Sequence, residues 1–126
     1  MLLDKVYTYL QSVPGVVSLV GSRIYPNALK QAAIMPAIVY QDISTKPNYS
    51  HGGDSGLDDA LYQFTCWATT PLLAAQLAAQ VRSAFGAVTA TVSGVKFTGF
   101  VENVYPDPEP ETGLSRVIVE VSFMHQ

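Results

Sequence analysis

The chain has 126 residues, 48% of them hydrophobic and 13% charged, with a formal net charge of −3. That length suits one domain with a self-sufficient core, and seven Lys and Arg without a basic run exclude phosphate-driven nucleic-acid binding. A single cysteine excludes an internal disulfide and a Cys-cluster zinc site, and no stretch reaches the ~18 apolar residues of a membrane helix.

Residues 2–13 place Leu2, Leu3, Val6, Leu10 and Val13 at helical spacing, and Pro14-Gly15 is expected to end that helix. Its acidic Asp4 and short apolar run are unlike a signal peptide. A turn and a brief strand around Arg23–Tyr25 follow, then a loop from Pro26 to Met35. Residues 36–44, PAIVYQDIS, are β-branched and aromatic and predict a strand. The stretch 45–58 is rich in glycine and poor in apolar side chains, which predicts a long mobile loop.

Residues 59–69 alternate: Ala60, Tyr62, Phe64, Cys66 and Ala68 share one face of a strand, with Trp67 on the mixed face. Thr70-Pro71 starts a helix, a capping hydroxyl followed by proline at the first helical position, and Gly86 ends it. Leu73, Leu77, Val81 and Phe85 form its apolar stripe, flanked by small alanines, while Gln76, Gln80 and Arg82 face elsewhere. Strands over 87–92 and 95–105 are joined by Ser93-Gly94, a two-residue hairpin connection. Residues 107–112, DPEPET, break regular structure, and 115–125 is an alternating final strand. The expected fold class is α+β: one domain over 1–126, a mostly antiparallel β-sheet with two α-helices packed on one face.

The loop invites an enzymatic reading, because Gly53-Asp54-Ser55-Gly56 resembles the nucleophile loop of trypsin-like proteases. A serine nucleophile needs a base at hydrogen-bond distance and a group that orients the base. The chain has only His51, in the same glycine-rich loop, and His125, next to the C-terminus. A strand follows Ser55, where an esterase elbow requires a helix. His51, Asp54, Asp58 and Asp59 lack the spacing of an EF-hand or a zinc site. Asp107, Glu109 and Glu111 sit in one proline-stiffened loop, unlike glycosidase carboxylates held across a cleft. No catalytic residue, metal ligand or cofactor site is therefore assigned, and the low charge points to an assembling subunit.

An ordered set of phrases runs along the chain: LLDKVYTYL, LVGSRIYPNALKQAAIMPAIVYQDIS, YSHGG, YQFTCWATTPLLAAQLAAQVRSAF and YPDPEPETGLSRVIVEVSF. In order and spacing they resemble the tail completion, or tail terminator, proteins of long-tailed bacteriophages, prophages and gene transfer agents. The resemblance implies a structural virion protein, made in the host bacterial cytoplasm. Such a protein forms a ring, typically a homohexamer, at the head-proximal end of the tail tube. The ring stops tube growth and offers a docking surface to the head connector, with DNA passing through its lumen unbound. On that reading Tyr49, His51, Asp54 and Asp58 are the candidate interaction loop. Asp107, Glu109 and Glu111 are candidates for an acidic lumen lining or partner loop, since acidic groups repel phosphate. Two alternatives remain open: another head–tail interface ring protein, such as a connector adaptor or stopper, and a small hydrolase or ligand-binding domain using residues 46–59.

Overall fold

A computed structural model describes residues 2–21, 23–26, 35–50, 53–86, 89–92, 94–107 and 113–125, with the backbone path alone for 45–50 and 53–59. The elements are α1 (Leu2–Gln11), α2 (Pro14–Val20), β1 (Ile24–Pro26), β2 (Ala37–Ser50), β3 (Gly53–Ala68), α3 (Pro71–Phe85), β4 (Thr89–Val92), β5 (Val95–Pro106) and β6 (Ser115–His125). Six strands form one sheet in the order β1-β2-β3-β6-β5-β4. All neighbours are antiparallel except β1 and β2, which run parallel, so the sheet is mixed.

The alternation read in β3 decides which face is covered. Ala60, Tyr62, Phe64, Cys66 and Ala68 are all buried, and the first four join the helices in one apolar core. Its centre is aromatic. Phe85 of α3 stacks on Phe64 at 5.0 Å and meets Phe123 edge-on at 5.1 Å. Phe97 of β5 meets Phe123 edge-on at 5.6 Å, and Tyr9 of α1 approaches Phe97 edge-on at 5.7 Å. Edge-to-face and offset pairs are the favoured geometries for rings at these separations. The Tyr9 hydroxyl donates to the Ala84 carbonyl at 2.8 Å, tying α1 to the end of α3.

Helix α3 forms as its sequence predicts. The Thr70 hydroxyl accepts from the Leu73 N–H at 3.2 Å, Pro71 occupies the first turn, and the Gly86 N–H donates to the Arg82 carbonyl at 2.8 Å. The hairpin at Ser93-Gly94 also forms, with Val92 opposite Val95 and Gly94 at φ 83°. Such a turn favours glycine where φ is positive.

Two expectations need correction. Three helices, not two, cover the sheet: Pro14-Gly15 ends α1 but also begins α2. Proline is tolerated at the first helical position because that N–H has no partner there anyway. Val16 and Val20, four residues apart, then place α2 in the core. The second correction concerns 45–58. It is not a loop but the distal half of a long hairpin, with Thr45 opposite Ala60, Lys46 opposite Asp59, Pro47 opposite Asp58 and Tyr49 opposite Asp54. Backbone pairing across β2 and β3 overrides the poor strand propensity of Lys, Pro, Asn and Asp.

Candidate functional site

The hairpin outruns its support. Strand β6 pairs with β3 only from Asp58 to Ala68, where His125 sits opposite Asp58. Residues Gly53–Leu57 of β3, with their partners on β2, therefore project beyond the sheet as a two-stranded arm. At about 3.3 Å per residue its three ladder steps, Asn48–Ser50 on β2, extend ~10 Å. Its register slips near the end: consecutive Asn48 and Tyr49 face Leu57 and Asp54, leaving Ser55 and Gly56 as an offset in β3. Lys46 and Pro47 lie on β2 just before the arm begins, the residue types that blunt an open sheet edge.

The predicted interaction residues divide accordingly. Tyr49 and Asp54 face one another in the ladder near the tip, and Asp58 stands where the arm leaves the sheet, between Pro47 and His125. His51 lies outside the described residues, as do Glu109 and Glu111. Asp107 is described and is not free. Its carboxylate pairs with the Arg116 guanidinium at 3.0 Å, its carbonyl accepts from Arg116 Nε at 2.6 Å, and its N–H donates to the Arg116 carbonyl at 2.9 Å. The same guanidinium lies 5.1 Å from the centre of the Trp67 ring. Trp67 thus packs under an arginine of its own chain.

The opposite flank of the sheet carries a feature the sequence reading missed. Strand β4 covers β5 only from Val95 to Thr98, so from Gly99 to Pro106 the outer edge of β5 has no strand against it among the described residues. Beside this stretch the outer side of α3 stands away from the sheet. A chain of hollows follows the helix. One of about 380 Å³ lies among Pro71, Ala75, Val104, Pro106 and Val117. A narrower one of about 180 Å³ shares Ala75 and continues to Ala79 and Arg82. One of about 480 Å³ reaches Ser83, Gly86, Phe100 and Val101. Together they make a shallow apolar trough along the whole of α3. Phe100 and Val104, which line it, are 45% and 38% exposed. A bulge between Val101 and Asn103 turns the strand here, so that Val104 shares the helix side of the sheet with its ladder partner Val119. The signal for the trough was present in the sequence as alanines on the outer face of α3, which leave room instead of filling it.

Arg82 is the one arginine with no ion pair or side-chain hydrogen bond among the described residues. Arg23 donates to the Pro36 and Leu19 carbonyls at 2.9 and 3.2 Å, and Arg116 is held by Asp107. Glu102 lines the same hollow as Arg82 without forming an ion pair with it.

Among the described residues no nucleophile, base and orienting group come together. Burial pushes the Cys66 thiol pKa far up, so it is an inert core residue and no nucleophile. Among the described residues no group of three or more His, Cys, Asp or Glu is placed to hold a metal ion. No helix among them is long and apolar enough to cross a membrane.

The model of the family described as "Tail completion protein gp17" matches residues 4–126, and the chain belongs to that family. No curated protein matches the sequence. Among solved structures, a chain in the virion of a native gene transfer agent particle is similar in fold, with a TM-score of 0.78 at 12% identity. The match covers 95% of this chain and 90% of that one. A second solved chain matches with a TM-score of 0.64 at 12% identity, covering 98% of this chain and 94% of that one.

Proposed function

We propose that this tail completion protein acts as the tail terminator: copies of it form a closed ring, of six by the family resemblance, on the head-proximal end of the tail tube. The observation that carries the reading is the family match over residues 4–126. The geometry supports it physically. A ring built from head-to-tail contacts needs two different surfaces on each subunit. This chain has two unmatched features on opposite flanks, the β2–β3 arm and the trough beside α3. Its role is to bind by shape and stop polymerisation, with no covalent step. Ring copies cap the tube, present a surface to the connector, and leave an opening for DNA. Acidic side chains at Glu109 and Glu111 keep phosphate from adhering as DNA passes.

The reading is tested by removing the gene from the producing phage or prophage and measuring tails by electron microscopy. A terminator's loss gives tails of excess and variable length that do not join heads. Tails of normal length with leaking or unjoined heads would instead assign the protein to the connector side, as an adaptor or stopper.

A further inference from the structure

We infer that the trough between α3 and β5 is the seat for the β2–β3 arm of a second copy of this chain, with Arg82 answering the arm's acidic residues. The inference rests on the ring reading above and says which surfaces make the contact.

Three observations carry it. The first is that the arm is incomplete alone. A two-stranded ribbon is marginally stable in water without a third strand or a surface to pack on, and β6 stops at Asp58. The second is charge. Residues 54–59 hold three of the chain's ten acidic residues, Asp54, Asp58 and Asp59. The trough is mostly apolar; Arg82 lines two of its three hollows and an adjoining one that it shares with Glu102, and has no ion pair among the described residues. An unpaired cation at the edge of an apolar groove selects an occupant that brings both apolar contact and negative charge. The arm's Leu57, Tyr49 and Asp54, with Asp58 at its base, have that composition.

The third observation is topology. The arm leaves the sheet on the β2–β3 side, at the end where His125 lies, whereas the trough opens on the β5 side and runs to the end where Ser115 and Val117 lie. Two strands, β3 and β6, separate β2 from β5. The arm therefore meets the trough of a neighbour and not that of its own chain. Repetition of that contact is head-to-tail and closes into a ring when the rotation allows.

Cysteine pairing tests this, because the one native thiol, Cys66, is buried. Ser55→Cys places a thiol in the arm and Ser83→Cys places one in the trough. The full chain carrying both is oxidised at concentrations where native mass spectrometry shows oligomers, and also on purified tails. The expected result is a ladder of covalent multimers for the double variant and monomer for each single variant. Arg82→Glu lowers the ladder about ten-fold, and adding Asp54→Lys and Asp58→Lys restores it. Unchanged melting of the Arg82→Glu chain shows that the loss is not unfolding.

Oligomers present without a ladder overturn the arm-in-trough contact and leave the ring reading standing. Absence of oligomers both in solution and on tails overturns both. A covalent product with a different tail or head protein overturns the second copy as occupant, and a dimer from either single variant reports a like-with-like contact and overturns it too.

Discussion

Arg116 holds the start of β6, the end of β5 and the ring of Trp67 with one guanidinium. Each bond is modest, because the side chain is 25% exposed and Asp107 is 43% exposed, and such ion pairs are screened by water. Their sum is a local clamp. Arg116→Ala removes the ion pair, the 2.6 Å bond to the Asp107 carbonyl and the cation–π contact. The expected loss is about 1–2 kcal/mol of stability, measured by urea unfolding. An unchanged urea midpoint would show that the clamp contributes nothing to stability. Asp107 was legible as a loop acid in the sequence, but its pairing was not. The partner lies nine residues away in sequence, and no local pattern predicts the contact.

At the scale of elements, patterning worked where one face is buried and failed where pairing alone decides. The period-two alternation of β3 and β6 and the capped stripe of α3 each state their buried face, because burial of apolar side chains selects those periods. The arm has no such face in a single chain. Lys46, Pro47, Asn48 and Asp54 carry no strand signal, and only the ladder between β2 and β3 makes them extended. Helix α2 was hidden by its own start signal, since Pro14-Gly15 also reads as a stop. The trough was hidden because it belongs to two elements distant in sequence. Gly99 shows how closely α3 meets β5. A Cβ there would lie 2.8 Å from the Phe85 carbonyl oxygen and 3.2 Å from a ring carbon of Phe123. Neither can retreat without moving the aromatic core. Gly99→Ala is expected to cost about 1–3 kcal/mol, read as a lower urea midpoint at unchanged slope. An equal midpoint would mean that α3 docks more loosely than this contact implies.

For the whole molecule, the described core on the hairpin lies at Ala37–Tyr40 and Ala60–Ala68, clear of the arm. Fold and assembly surface are therefore separable. Replacing residues 48–57 with an Asn-Gly turn, which suits a two-residue hairpin, should leave cooperative unfolding intact. The same change should leave tails that cannot join heads, scored by infectious particles. Normal infectivity would remove the arm from any role in assembly. The low charge of the chain, 13%, fits the proposed ring. A subunit hiding both an arm and a trough in its neighbours would have less surface left for water.

Strand β3 runs without interruption from the tip of the arm at Gly53 to Ala68 at the foot of α3. A tug on the tip thus travels along one extended segment into the ladder with β6, whose bonds from Asp58 to Ala68 lie side by side and resist sliding together. A subunit gripped by this lever is loaded in shear, not peeled open one bond at a time. On the proposed ring, such an arrangement keeps a loaded subunit seated in its neighbour.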